Sequence, residues 1–151
     1  MLNDFVVDPY VGVGPLRLGM SRGEVQNVLG LPDRSKNSRF NAKIIDQWTT
    51  EDITVVFSDN SGTAVEIGFG SEQAQAEVRG IKIFGNDGPS VYRDLCVADG
   101  APRTDVGFTV LFSLGLTLDG FLTTDQDDRA VTVFAKGTWD ERDPNLQVVK
   151  L

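Results

Sequence analysis

The fold of this chain is decided by residues 53–69, whose sequence reads ITVVFSDNSGTAVEIGF. Apolar residues alternate with other residues before and after a polar turn, which is the period of two antiparallel β-strands. The turn contains Asp59, Asn60 and Gly62, which tolerate a left-handed backbone or hydrogen-bond to it. A helix should pack on the inward face, which is predicted to contain Ile53, Val55, Phe57, Val65, Ile67 and Phe69.

A third strand and a short helix are predicted upstream of this hairpin. Residues 44–48 should pair with the first strand of the hairpin, whereas residues 33–43 are polar and basic and are predicted to form a loop. Ser21 and Glu24 have the spacing of a capping box, which starts a helix. An apolar stripe follows at helical spacing, and the Gly-x-Pro sequence at residues 30–32 ends the helix.

The second half of the chain echoes the first. Leu18-Gly19 recurs as Phe84-Gly85, and Ala64–Ile67 recurs as Ala130–Val133, both at an offset of 66 residues. The repeat is explained either by duplication, which we favour, or by chance. Duplication matters because a doubled helix-plus-hairpin unit builds one wide sheet, which suits binding better than catalysis.

The segments of the second half are of the same kinds. A helix is predicted over residues 89–99, because a proline opens it and a glycine follows it. Residues 108–118 alternate as a long strand in which Gly115 marks a bulge or a tight turn. Residues 130–134 form the last strand of the sheet interior, and residues 146–149 are a candidate edge strand.

The expected fold class is α+β. We predict two tandem helix-plus-antiparallel-meander units, residues 1–75 and 76–151, that share one core as a single compact domain. Their strands would form a curved antiparallel sheet with the short helices on one face.

Composition limits the possible functions. The 151 residues include 22 acidic and 14 basic side chains, a net charge of −8. A field of that sign repels nucleic acids and anionic membranes and attracts basic partners, although simple solubility is an alternative explanation. The absence of histidine excludes Ser-His-Asp and Cys-His catalysis and imidazole zinc sites. Cys96, the single cysteine, excludes an intrachain disulfide and is expected in the core.

No motif pairs the carboxylates with a base, a metal site or a phosphate loop. We therefore expect no enzyme, no cofactor and no metal. No apolar run is long enough to span a bilayer, and the first residues lack the basic and apolar regions of a signal peptide. We expect a cytoplasmic protein, monomeric or homodimeric, that contacts neither membranes nor nucleic acid.

The run GPLRLGMSRGEV at residues 14–25, followed by LGLPD at residues 29–33, resembles the opening of SmpA/OmlA-type (BamE-like) modules. Two such modules in tandem are the layout of the β-lactamase inhibitor protein family, and the chain also resembles small bacterial immunity- or antitoxin-type proteins. The resemblance implies a fold and a habit of binding proteins. The chain departs from these families at residues 88–90, which lack Gly-Met-Ser, and it has neither disulfides nor a lipid-attachment cysteine near its first residue.

The candidate binding residues are acids and aromatics on predicted turns and on one strand. Aromatic anchors often dominate interface energies, although Trp48 has a core position as its alternative. The acids around residues 125–128 are read as a cation site, a contact for a basic partner or a solvated turn. The predicted partner-binding residues are Trp48, Glu51, Asp52, Asp125, Asp127, Asp128, Thr132 and Phe134.

The sheet face away from the helices is a second candidate surface. Strand alternation predicts that it shows Thr54, Val56, Glu66, Thr109, Leu111, Ser113, Thr117, Thr132 and Phe134. The predicted function is a non-enzymatic acidic protein-binding module, an immunity- or antitoxin-like inhibitor of a basic protein such as a toxin. The alternative is a structural or assembly module that homodimerises through this open face, if Phe134, Leu111 and Val56 form an apolar patch.

Overall fold

The computed structural model describes residues 4–38 and 43–151. In this part of the chain two α-helices, α1 (Arg22–Leu29) and α2 (Gly88–Asp99), and one 3₁₀ turn (Gln126–Asp128) accompany fourteen strands. The strands are β1 Val7–Asp8, β2 Gly12–Val13, β3 Leu16–Arg17, β4 Arg34–Asn37, β5 Ile44–Trp48, β6 Ile53–Phe57, β7 Ala64–Phe69, β8 Glu77–Val78, β9 Ile81–Lys82, β10 Arg103–Asp105, β11 Phe108–Leu111, β12 Leu116–Asp119, β13 Ala130–Phe134 and β14 Gln147–Val148.

Nine of these strands form one large antiparallel sheet. Their spatial order is β14-β10-β11-β12-β13-β7-β6-β5-β4, and two smaller sheets join β1 to β3 and β8 to β9. The chain halves meet at the pairing of β13 with β7, where Thr132 lies opposite Gly68 and Val133 opposite Ile67. The main sheet therefore continues without a break from one half of the chain to the other.

The predicted fold class is wrong. Strands make up 35% of the described residues and helices 16%, so the protein is mostly β and is not a pair of α+β units with short helices. The difference arises because segments read as loops pair as strands. β4 lies in the basic stretch predicted as a loop, and it pairs with β5 as a fully exposed edge strand. The loop prediction for residues 39–42 lies outside the described residues.

The predicted strand over residues 108–118 is two strands. Gly115 has φ +64°, a left-handed conformation that glycine adopts without steric cost, and the chain reverses there between β11 and β12. The predicted assignment of faces along β11 is also reversed, because the sequence pattern placed Thr109 and Leu111 on the face away from the helices. Thr109 and Leu111 are buried on the helix side, and Phe108 and Val110 point the other way.

Both helices begin as the sequence predicts. The Ser21 hydroxyl accepts from the Glu24 N–H at 3.1 Å, and the Glu24 carboxylate accepts from the Ser21 N–H at 3.0 Å, so the capping box is confirmed. Asp87 caps α2 through the Ser90 N–H at 3.0 Å. Gly100, at φ +87°, follows the last helical residue.

The main hydrophobic core lies between the helices and one face of the large sheet. It contains Val25 of α1, Leu95 and Cys96 of α2, and the inward residues of β6, β7 and β13. The core position of Cys96 is confirmed, and burial raises the pKa of its thiol to about 11. Residues from both halves contribute to this core. The predicted boundary between residues 75 and 76 stays a prediction.

A second, smaller cluster covers part of the opposite face. Val110, Phe134 and Leu146 are buried there beneath partly buried aromatic side chains from distant segments, namely Tyr10, Phe108, Phe112 and Trp139. The Tyr10 hydroxyl donates to the Phe112 carbonyl, which ties the N-terminal segment to the turn after β11. None of the helices in the described ranges is long and apolar enough to cross a membrane.

Candidate functional site

The uncovered part of the outer sheet face is a row of small and hydroxyl-bearing residues. Thr54 on β6 lies opposite Gly68 on β7, Gly68 lies opposite Thr132 on β13, and Thr132 lies opposite Thr117 on β12. The three threonines are half-buried. A side chain at residue 68 would place its first carbon 3.3 Å from the Thr132 hydroxyl. The glycine therefore leaves a depression between Thr54 and Thr132.

A groove of about 280 Å³ includes Thr54, Gly68 and Thr132 of this row, and we call it the acidic groove. Its lining includes four of the eight predicted partner-binding residues, contributed by the β5–β6 turn, the 3₁₀ turn and β13. The residues that line it are Asp52, Thr54, Gly68, Phe69, Gly70, Asp127, Asp128, Arg129, Ala130, Val131 and Thr132. The fold thus brings Asp52, Asp127, Asp128 and Thr132 together across a large separation in sequence.

Asp52 is held in place by the segment that follows β7. It has φ +59°, a conformation that aspartate tolerates in turns. Its carbonyl accepts from the Gly70 N–H at 3.1 Å, and its carboxylate accepts from the Glu72 N–H at 3.3 Å. Because the carboxylate lies directly against the α-carbon of Gly70, any side chain at position 70 would displace it.

The two acids of the 3₁₀ turn are held by hydroxyl groups. Asp127 accepts from the Ser71 hydroxyl at 2.7 Å, and Asp128 accepts from the Thr123 hydroxyl at 3.0 Å. Asp125 is outside the groove lining, since it caps the 3₁₀ turn by accepting from the Asp127 N–H at 2.9 Å. The segment at residues 70–72 therefore contacts both sides of the groove and holds the carboxylates of Asp52 and Asp127.

The carboxylates of the groove are unneutralised by salt bridges in the part of the chain that the structure describes. The one salt bridge found there joins Arg22 to Asp46, on the helix side of the sheet. Arg129 lines the groove, but its guanidinium donates to the carbonyls of Ile83 at 2.9 Å and Asn86 at 2.7 Å. The groove therefore has a negative charge that a cation from outside can neutralise.

The other predicted residues lie elsewhere. Trp48 is 2% exposed, and its indole N–H donates to the Gly30 carbonyl at 3.0 Å, so it fills the alternative core position. Glu51 is half-buried outside the groove, and its carbonyl accepts from the Gln73 side chain at 2.7 Å. Phe134 is buried under the ring of Tyr10, with their centroids 5.7 Å apart.

Glu66 shows how far the outer face is covered. It lies opposite Phe134 on one side and Val56 on the other, and it is half-buried. Burial raises the pKa of its carboxyl above the ordinary value, and the charge of Lys43 opposes that shift.

Sequence reasoning missed the residues that shape the groove. Gly68 and Gly70 form its floor and one wall, and Ser71 holds a carboxylate. A signal was present, because two glycines at alternate positions of a strand remove side chains from one face or mark a close approach. The partners that Gly70 and Ser71 contact are set by the tertiary fold and could not be read locally.

The described residues contain no group of three or more His, Cys, Asp or Glu side chains arranged to hold a metal ion. A comparison with models of known protein families finds none that matches this chain, and comparisons with curated proteins and with solved structures also find no match. The resemblance to BamE-like modules and to the β-lactamase inhibitor protein family therefore stays a prediction.

Proposed function

We propose that this protein is a non-enzymatic acidic binding module that inhibits a basic protein partner, in the manner of an immunity protein or an antitoxin. The observation that carries the proposal is the acidic groove. Asp52, Asp127 and Asp128 come from two distant turns, and hydrogen bonds from the protein hold each carboxylate in place.

Pre-positioned carboxylates suit the capture of lysine or arginine side chains. An ordered acid loses little conformational entropy when it binds a cation, and opposite charge on the two surfaces speeds their encounter. The low centre of the row at Gly68 gives an extended side chain room to lie between Thr54 and Thr132. The net charge of −8 adds a long-range attraction for the same kind of partner.

The proposed compartment is the cytoplasm. The finding on the helices excludes only a helical membrane span in the described residues. The partner would be a basic protein made in the same cell, with no nucleic acid or membrane involved.

The test is a pull-down with tagged protein from a lysate of the source organism, eluted with increasing salt. We expect one basic protein in stoichiometric amount, and association kinetics with the purified partner should slow as ionic strength rises. The variant D52N/D127N/D128N keeps an acceptor oxygen at each position while removing three charges. It should associate about tenfold more slowly at low salt, since steering of this kind acts mainly on the association rate.

The matched control is D4N/D59N/D94N, which removes the same charge from exposed acids outside the groove. If this control slows association as much as the groove variant does, the net charge alone is responsible and the groove is not the site. Recovery of the protein alone, with no partner at any salt concentration, would contradict the proposed function.

The alternative of homodimerisation through the open face has less support. It required an apolar patch of Phe134, Leu111 and Val56, and the first two side chains are buried in separate clusters on opposite sides of the sheet. Only Val56 of the three is partly accessible. Sedimentation velocity on the purified protein decides whether it is a monomer.

A further inference from the structure

A second cavity lies on the helix side of the sheet, on the opposite face from the acidic groove. Its floor contains Thr104, Thr109 and Leu118, which are cross-strand neighbours on β10, β11 and β12. The remaining lining comes from Tyr92 of α2, Gly107 at the β10–β11 turn and the loop at residues 119–123. The cavity has a volume of about 360 Å³ and is open to solvent, and we call it the tyrosine pocket.

Two hydroxyl groups supply the polar chemistry of the tyrosine pocket. The Tyr92 hydroxyl and the Thr109 hydroxyl are 2.7 Å apart, and either of them can be the donor. Each hydroxyl has one proton, and Tyr92 also hydrogen-bonds to the Cys96 thiol, so the pair offers a bound molecule lone pairs that can accept a hydrogen bond. The Thr104 hydroxyl already donates to the Phe108 carbonyl at 3.1 Å.

Apart from Asp119 and Thr123, the rest of the lining is apolar or glycine, and it contains no lysine or arginine. Leu118 and Phe121 are buried apolar residues. Asp119 is the single carboxylate of the lining, and by strand alternation it belongs to the face opposite Leu118. The absence of a cation from the lining, together with the net charge of the protein, disfavours an anionic ligand.

Exposed apolar residues stand beside this cavity. Val106 precedes Gly107, is 91% exposed and has φ +24°, a conformation that is strained for a β-branched residue. Leu122, which belongs to the lining, is also largely exposed. Strained backbone and exposed apolar side chains both cost stability, and they occur together where a binding function maintains them.

We propose that the tyrosine pocket binds a small neutral aromatic or alicyclic molecule that has one hydrogen-bonding oxygen. The apolar body would lie on Leu118 and Phe121, and the oxygen would bond to the Tyr92–Thr109 hydroxyl pair. The volume is within the range of small-molecule sites. This inference does not rest on the proposed function of the acidic groove, which lies on the opposite face of the sheet and meets the pocket through the hydrogen bond from Thr123 to Asp128.

The test uses p-cresol as the probe, with toluene and p-toluate as comparison compounds, and follows amide shifts in NMR titrations of the full chain. p-Cresol should give saturable shifts centred on residues 104–109 and 118–123. It should bind about threefold to tenfold more tightly than toluene, the range expected for one net hydrogen bond. The anion p-toluate should bind more weakly than p-cresol.

The variant T109V removes one hydroxyl with little change of shape. Y92F removes the other hydroxyl, so the test still works if T109V fails to fold. Each should reduce the preference for p-cresol over toluene to less than about twofold, since the bond to the ligand is lost. T117V, on the outer face of β12, is the matched control and should keep the full preference. The inference is overturned if p-cresol gives no saturable shifts at these residues, or if T109V and Y92F both keep the preference.

Discussion

The pair formed by Arg22 and Asp46 gives a stability prediction that depends on which partner is removed. Asp46 on β5 is fully buried, whereas the Arg22 side chain at the start of α1 is 40% exposed. The guanidinium donates to the carboxylate at 2.7 Å and 2.9 Å, and the Ser35 hydroxyl donates to it at 2.6 Å. The hydrogen bond to Asp46 raises the pKa of Arg22 above its ordinary value, so the guanidinium stays charged throughout the accessible pH range.

R22M should be the more damaging single change. It leaves a buried carboxylate with one hydroxyl donor, and an uncompensated buried charge costs about 3–5 kcal/mol. D46N leaves Arg22 able to turn toward water, and it keeps one acceptor for Ser35. Its cost should be about 1–2 kcal/mol, near that of lost hydrogen bonds alone. The double variant R22M/D46L replaces the pair with apolar side chains and should be more stable than R22M.

Urea denaturation followed by circular dichroism measures these differences, provided that the slope m stays equal among the variants. R93M, at an exposed position of α2, is the control and should change the free energy of unfolding by less than about 0.5 kcal/mol. Two results would refute the reasoning. One is a loss in D46N as large as that in R22M, and the other is a double variant no more stable than R22M.

Three further predictions concern single positions. Because burial raises the pKa of Glu66, its negative charge lowers stability at neutral pH. E66Q should therefore raise the urea midpoint of unfolding at pH 7. The gain should disappear below pH 4.5, the ordinary pKa of glutamate, and urea titrations at both pH values measure it. Cys96 is buried and its thiol has a pKa of about 11, so it should react with a thiol reagent only as fast as the protein unfolds. Immediate labelling of the folded protein would contradict this prediction. G120A should lower the stability by more than the roughly 1 kcal/mol expected of G137A. Both glycines have positive φ, but only at residue 120 would the added methyl group meet the Asp128 carbonyl. The thermal midpoints of the two variants compare these losses.

The sequence predicted local structure well where one short segment contained the whole signal. The capping box at Ser21, the hairpin at residues 53–69 and the helix that starts after Asp87 are all decided by neighbours within a few residues. The hairpin nevertheless contains an irregularity after Val56 that the alternating pattern hides. Ala64 rather than Val65 faces the core beyond it, since a bulge shifts the register by one residue.

The prediction of the fold class was wrong because strand pairing is a long-range property. Nothing in the polar sequence of β4 predicts a strand, and it becomes one because β5 offers an unpaired edge. The prediction of which face of β11 points toward the helices was wrong for a related reason. Both faces of this strand are covered, since the helix side meets the main core and the outer side meets the aromatic cluster around Phe134. The alternation in residues 108–118 separates the two faces of the strand, but it does not show which of two covered faces meets the helices.

The candidate site was predicted in part for the same reasons. Acids on turns are exposed by default, so Asp52, Asp127 and Asp128 could be proposed from their positions in turns. Which acids meet depends on β13 pairing with β7, a contact between residues more than sixty positions apart. Asp125 lies within three residues of Asp127 and Asp128, yet its carboxylate is used within its own turn.

Strand alternation also makes the two proposed sites separable. On β12 the Thr117 side chain faces the outer row and the Leu118 side chain faces the tyrosine pocket, so adjacent residues report on different surfaces. A ligand in the pocket can influence the acidic groove by two routes. It can move β12 against β13, a pairing buried on its core side by Leu118 and Val131, or it can move Thr123, which lines the pocket and donates to the Asp128 carboxylate. The packed interface between the strands resists small displacements. Saturating p-cresol should leave the salt-dependent association rate of a basic partner unchanged as long as Thr123 keeps its hydrogen bond to Asp128. A change in that rate would mean that the loop at residues 119–123 or the sheet transmits a displacement from the pocket to the groove.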